Sequence, residues 1–483
     1  MNIESYLAKR GYVCVDKTFR SKIEEWKDWY QGDVENFHHY NIYNGANFVR
    51  MRRRTLGMAK TVAEDWANLL LNEKTQISAG AFQSQLDEIM ERNQWGEQSG
   101  KLIELSMALG TGAFVEYLSK DKTPAIDYIR ADMIYPLSWD NGIVTECAFG
   151  SKKTIQQTEY IYLQMHLLHN GTYVIENHIF NDKTGEEIVL LDVEPEVHTN
   201  STIPLFQVFT PNIVNNTDLD CPMGISVYAN AVHVLQGIDL IYDSYCNEFD
   251  LGRKRIFIPM SMARIEDIGS NPEHRMFRPV FDTRDTVFNI LPREADDGGK
   301  PLEINMSLRT AEHKEALQDN LNMLSLKCGM GTNRYSFESD GVKTATEVVS
   351  EKSDLYQSLK KHEHTLESAL IGMVRALAYL AGASDPEVTI MFDDSVINDD
   401  NTKIDNNIKL VQAELKSKLS AIMDIYGMSK SEAQKELDQI AEESRGISGS
   451  DIDLYGMDTG NTNTDPQDVE DPLDDEESAD DVE

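Results

Sequence analysis

The sequence predicts an α+β fold, on three observations. Helical apolar spacing opens the chain, an alternation of period two takes over between about residues 113 and 210, and two further helix patterns then flank a short strand-bearing stretch at 256–305. At 483 residues the chain is several times a typical domain length, so two to four folding units and a large core are expected.

The segment EEWKDWYQGD sets Trp26, Trp29 and Tyr30 within one turn of each other, which reads as core packing rather than a ligand site. Residues 55–72 place Ala59, Val62, Ala63, Trp66, Leu69 and Leu70 on one stripe of an amphipathic helix. Two more helices are expected before Gly110. In EYIYLQMHLLHNGTYVIENHIF, Ile161, Leu163, Met165 and Leu167 alternate with more polar neighbours, and Asn170-Gly171 tolerates the positive φ angles of a tight hairpin. An antiparallel sheet follows from that pattern.

After Pro222 and Gly224 the helical period returns at Val227, Ala231, Val234, Ile238, Ile241, Tyr245 and Phe249. The other face of this helix carries Asp239, Asp243 and Asp250, read as a solvated face. Arg253, Lys254 and Arg255 close it, where cations suit the negative end of the helix dipole. IFIPM, TVFNIL and LEINM read as short strands, and Leu317, Leu321, Leu324 and Cys328 mark a second helix at about 308–328 that would lie antiparallel to the first. A loop, GMGTNRYSFESD, then leads to Thr344 and Glu347, spaced as a capping box, and to a long helix striped by Ala345, Val348, Leu355, Leu359, Leu366, Leu370, Met373, Leu377 and Leu380.

Charge excludes one class of function. Residues 451–483 hold fourteen acids and no Lys or Arg, and are expected to stay solvated and disordered. Without them 68 acids still face 45 bases, a poor composition for gripping DNA phosphates. The cysteines at 14, 147, 221, 246 and 328 show no metal-ligand spacing and suit a reducing compartment. MNIESYLAKRGY lacks a signal peptide's apolar run, and Arg375 interrupts SALIGMVRALAYLAGA, so a soluble chain is expected.

No catalytic, cofactor or metal site is assigned. Val342 separates Gly341 from Lys343, and GEQSGKL at 96–102 has its glycines too close and Leu102 in place of a hydroxyl, so neither is a phosphate loop. Asp393-Asp394 and Asp399-Asp400 evoke a magnesium nuclease, but close acid pairs are expected by chance here, and calcium-loop spacing is missing. HEH at 362–364 is not His-Glu-x-x-His and reads as a solvated patch. An adaptor or scaffold with an acidic recruiting tail is the other rival.

WKDWYQGD at 26–33, LGMAKTVAEDWANLLLNEK at 56–74 and GVKTATEVVSEKSDLYQSLKKHE at 341–363 together resemble the portal proteins of tailed bacteriophages, of the type in long-tailed phages of Gram-positive bacteria. The element order between about residues 20 and 440 resembles that family as well. The resemblance implies a wing over 1–221, a stem helix over 222–255, a clip over 256–305, a second stem helix over 306–331, a tunnel loop over 332–343, a spine helix over 344–385 and a crown over 386–445, before an acidic tail from 446.

It further implies a ring, usually a homododecamer, at one capsid vertex of the virion, assembled in the host cytoplasm, through whose channel double-stranded DNA enters and leaves. The implied partners are the packaging ATPase (terminase), a head-completion adaptor, and the major capsid and scaffolding proteins, with no membrane. A channel for a polyanion should not hold it tightly, so Asp239, Asp243 and Asp250 become candidate lumen acids. Asn333, Arg334 and Lys343 become candidate DNA-facing loop groups, with Arg334 and Lys343 equally readable as solvated charges or inter-subunit ion-pair partners. Arg253, Lys254 and Arg255 fall beside the clip.

Overall fold

A computed structural model describes residues 3–12, 15–72, 74–155, 157–181, 183–188, 193–259, 264–267, 277–280, 288–291, 301–336, 345–392, 400–426, 428 and 430–447. It divides into two units, Met1–Asp399 and Asp400–Glu483.

The first unit opens with α1 (Ile3–Lys9), α2 (Lys17–Gln31) and a single turn, α3 (Glu35–His38). The Asp16 side chain accepts from the Thr18 N–H at the start of α2, and Gly32 ends it at φ 69°. A two-stranded ribbon follows, β1 (His39–Tyr43) and β2 (Phe48–Arg52), then α4 (Met58–Leu70), β3 (Gln76–Ser78), α5 (Gln83–Arg92) and α6 (Trp95–Leu109). GEQSGKL lies inside α6, so its backbone N–H groups are largely committed to the helix and cannot cradle phosphate. Trp26, Trp29 and Trp66 are buried, as core packing requires.

The strand region runs β4 (Gly112–Leu118), β5 (Pro124–Arg130), β6 (Ile134–Asp140), β7 (Ile143–Ile155), β8 (Thr158–His169), β9 (Thr172–Asn181), β10 (Glu196–His198) and β11 (Phe206–Phe209). Strands β6 to β10 form one antiparallel sheet in sequential order, and β11-β4-β5 form a second. Asn170 and Gly171 turn the β8–β9 hairpin at φ 52° and 84°, both positive as that turn type demands. Where α6 ends, Gly110 and Gly224 cross so closely that a Cβ on either would stand 2.4 Å from the other's carbonyl oxygen. That crossing, with the Val227 N–H donating to the Met107 carbonyl at 3.0 Å, fixes where the next helix begins.

That helix is α7 (Val232–Leu251), followed by β12 (Arg255–Pro259), β13 (Arg264–Asp267), β14 (Phe277–Val280), β15 (Phe288–Leu291), β16 (Leu302–Ile304) and α8 (Thr310–Lys327). The sequence pattern anticipates β12, β15 and β16 but not the β13–β14 pair. β12 is central, parallel to β15 and antiparallel to β16. The 36-residue α9 (Ala345–Leu380) then packs against β4, β11 and α4 and leads to β17 (Thr389–Met391), which pairs with β3. Thr344, the expected cap of α9, lies outside the described residues, as do Lys343, Asp393, Asp394, Asp399 and the segment 448–483.

The described residues of the second unit form three helices, α10 (Asp400–Gln412), α11 (Lys418–Tyr426) and α12 (Lys430–Ile447), each packed on the next. Among the described residues no helix is long and apolar enough to cross a membrane. Cys147, Cys221, Cys246 and Cys328 are free thiols, and Cys14 lies outside the described residues.

Candidate functional site

Two parts of the first unit meet at α7, its partner helix α8 and the root of the β1–β2 ribbon, while the loop after α8 lies against α4. The two helices are antiparallel, because contacts pair Gly237 with Asn320, Ser244 with His313, and Glu248 with Arg309. Gly237 permits the approach, since a Cβ there would lie 2.9 Å from the Asn320 side-chain oxygen. The Arg309 guanidinium grips Glu248 with both carboxylate oxygens, at 3.0 and 2.8 Å. This hydrogen bonding holds the Glu248 carboxyl down at about 2, so it remains ionised at any physiological pH.

The acid face of α7 differs from the expectation. Asp239 and Asp243 are not solvated in the protomer, being only 3% and 7% exposed. Asp239 takes His38 Nε2 at 3.0 Å and the Leu56 N–H at 2.8 Å. Because His38 Nδ1 accepts from the Val34 N–H at 2.8 Å, Nε2 carries the ring proton and donates to Asp239. Asp243 accepts from the Arg54 N–H at 3.1 Å and the Asn247 amide at 3.2 Å. The physical reason is that the chain leaving the ribbon has backbone N–H groups at Arg54 and Leu56 that no strand pairs, and Asp243 and Asp239 accept from them, while Asp239 also holds the His38 ring. Asp250 alone stays half exposed, between Arg54 at 3.3 Å and Arg253 at 3.0 Å.

The apolar residues of α7 mirror this inversion. Leu235 and Ile238 are buried, whereas Val234, Ile241 and Tyr245 are only partly covered and Leu240, Phe249 and Leu251 are 53%, 45% and 67% exposed. Beyond Gly252 the basic cluster is peripheral: Arg253 meets Asp250, Lys254 meets Glu303 at 2.6 Å, and Arg255 is exposed at the start of β12.

The loop after α8 is braced on α4. Trp66 Nε1 donates to the Cys328 carbonyl at 3.1 Å, Gly329 and Gly331 turn at φ 75°, and Asn333 sits at φ 63°. Arg334 meets both oxygens of Asp65 at 3.2 and 3.3 Å, so its charge is committed within the protomer. Lys343 lies outside the described residues. The HEH triplet is also no solvated patch: His362 and Glu363 are buried and only His364 is exposed. His362 Nδ1 accepts from the Asn212 N–H at 2.9 Å and its ring stands 4.6 Å from that of Trp66. Burial lowers its pKa to about 4, keeping it neutral.

Sequence reading missed the role of residues 38–56. The signal was the run Arg50, Arg52, Arg53 and Arg54 in a chain of net charge −37. Among the described residues no group of His, Cys, Asp and Glu is arranged to hold a metal ion.

Paired helices that leave large apolar side chains uncovered present a surface suited to packing against another molecule. Residues 14–450 match the family described as phage portal protein, SPP1 Gp6-like, and the chain belongs to that family. Its function is therefore of the portal or connector type, structural rather than enzymatic. No curated protein matches the chain. Among solved structures it is similar to a chain in the "Neck of native GTA particle computed with C12 symmetry", at 12% identity and TM-score 0.41, over 76% of this chain and 88% of that one. It is also similar to one in the "Neck of empty GTA particle computed with C6 symmetry", at 12% and 0.41 over 77% and 89%. A third, from the "Virion of native gene transfer agent (GTA) particle", gives 12% and 0.37 over 77% and 88%.

Proposed function

We propose that this chain forms a closed ring, a homododecamer, at one vertex of the capsid of a long-tailed phage of a Gram-positive host, and that double-stranded DNA passes through its channel during packaging and ejection. In this reading α7 and α8 are the stem, residues 256–305 the clip, 332–343 the tunnel loop, α9 the spine, and the helices of the second unit the crown. The clip docks the packaging ATPase and later the head-completion adaptor, while capsid and scaffolding proteins hold the ring in place.

The observation that carries the reading, beside family membership, is the antiparallel pair α7–α8. Leu240, Phe249 and Leu251 on one helix and Met323 and Leu326 on the other stay uncovered in the protomer, and five large apolar groups on two adjacent rods call for a neighbour. Translocation is driven by a separate motor, since neither glycine-rich stretch of this chain has the spacing of a phosphate loop. The acidic composition keeps the polyanion from adhering to the wall. In the protomer Asp250 is the lumen candidate that remains accessible, and Asn333 and Lys343 are the loop groups proposed to touch the DNA backbone, because Arg334 is held by Asp65.

Class-averaged electron micrographs of the purified chain test this. Rings with a central opening and rotational symmetry are expected; monomers or open filaments over a range of salt would overturn it. Deleting 333–340 is expected to leave rings intact and to impair DNA packaging or retention.

A further inference from the structure

The β1–β2 ribbon stands outside the two main sheets, and an isolated two-stranded ribbon is marginally stable in water. All of β2 is exposed, and β1 passes from half-buried at His39 and Tyr40 to exposed at its tip. Its register pairs His39 with Arg52, Asn41 with Arg50 and Tyr43 with Phe48 on one face. That face therefore runs from cationic at the root to aromatic at the tip, where Tyr43 and Phe48 are 58% and 75% exposed with rings 5.3 Å apart. Arg53 and Arg54 are turned into the protomer, onto the Phe37 ring and onto Asn247 and Asp250. Among the described residues Arg50 and Arg52 pair with Glu35 and Asp33, in solvent-exposed contacts that are weak and exchangeable.

The outer flank of α8 shows the complementary sequence. Glu312, Glu315, Asp319, Met323 and Leu326 recur at steps of three, four, four and three, and all five are exposed. This stripe runs from acidic to apolar. Four residues of helix rise about 6 Å and two residues of strand about 6.7 Å, so the two patterns share a step. Arg52 then falls opposite Glu315, Arg50 opposite Asp319, and the Tyr43–Phe48 pair opposite Met323. Within one copy the two surfaces do not cover each other. The ribbon's root is fastened to α7 through Asp239, Asp243 and Asp250, whereas α8 packs on the opposite flank, at Gly237, Ser244 and Glu248.

We infer that the β1–β2 ribbon of each copy docks along the outer flank of α8 in the next copy, with Arg50 and Arg52 on Glu315 and Asp319 and the aromatic tip on Met323. The contact joins different surfaces of identical chains, so it propagates head to tail and closes where the rotation permits. It rests on the ring reading above and assigns that ring a specific seam.

Two full-length charge-reversed chains test it, R50E/R52E and E315R/D319R. Each alone is expected to need at least about tenfold more protein than wild type to assemble, because like charges then meet at every seam. Mixed in equal amounts they are expected to recover wild-type assembly, since every alternating seam regains opposite charges. Equal melting temperatures would show that both variants fold. Independently, F48C/M323C under mild oxidant is expected to give a ladder of covalent multimers that neither single variant gives. Wild-type rings that persist in both reversed variants, or cysteine-pair rings that yield no ladder or only an internally linked monomer, overturn the seam and leave the ring. A wild type that forms no ring overturns both.

Discussion

Helices α7 and α9 carry apolar stripes of similar regularity, yet the two stripes meet opposite fates. On α9, Leu355, Leu359, Leu366, Leu370, Met373 and Leu377 are at most 4% exposed, because the helix lies against β4, β11 and α4 of the same chain. On α7 the stripe is buried at Ile238 but half covered at Val234, Ile241 and Tyr245 and open at Phe249, while two aspartates share the buried side. A periodic stripe shows that a face exists to be covered; it does not say whether the cover comes from the same chain or from another copy.

The sharpest way to break this contrast is to truncate one residue of each stripe. Leu370→Ala removes a fully buried side chain and is expected to cost about 2–5 kcal/mol of protomer stability, read as a fall in denaturant midpoint. Phe249→Ala is expected to change it by less than about 0.5 kcal/mol and to act on assembly instead. Equal losses at both positions would show that the α7 stripe belongs to the protomer core.

The acids sharpen the comparison further. Asp239→Ala leaves the His38 Nε2–H and the Leu56 N–H without their acceptor in a buried place, and is expected to cost about 3 kcal/mol by thermal or chemical unfolding. Asp250→Ala, on the same helix but half exposed, is expected to cost less than about 0.5 kcal/mol. A harmless Asp239→Ala would return that carboxylate to the solvated reading.

The smallest expected effect is one of pH. Burial lowers His362 from 6.5 to about 4, so between those values the unfolded chain binds a proton that the native chain refuses. Stability therefore falls as pH drops through this window, by about 2 kcal/mol from pH 7 to pH 5 for this group. Glu116, fully buried and with its pKa raised by desolvation, acts in the opposite direction over part of the same range. The measurement is thus a difference: the wild type should lose about 2 kcal/mol more than His362→Gln between pH 7 and 5. An unchanged pH profile in the variant would contradict the burial of the imidazole.

Much of the architecture was legible in residue order alone. The stripe of α4, the alternation through β8 and β9, the Asn170-Gly171 turn and the helix pair around a strand-bearing excursion all rest on local periodicities of 3.6 and 2, which neighbours within a few residues dictate. Spacing alone excludes a P-loop from both glycine-rich stretches. Less of the site was legible, and for one reason. Whether Asp239, Asp243, His362 or Arg334 faces water depends on segments that lie, respectively, 183, 189, 150 and 269 positions away along the chain. Helical spacing assigns each of them to a face. Only the folded chain decides what lies against that face, because a carboxylate's environment is set by whichever donors the tertiary structure brings within about 3 Å.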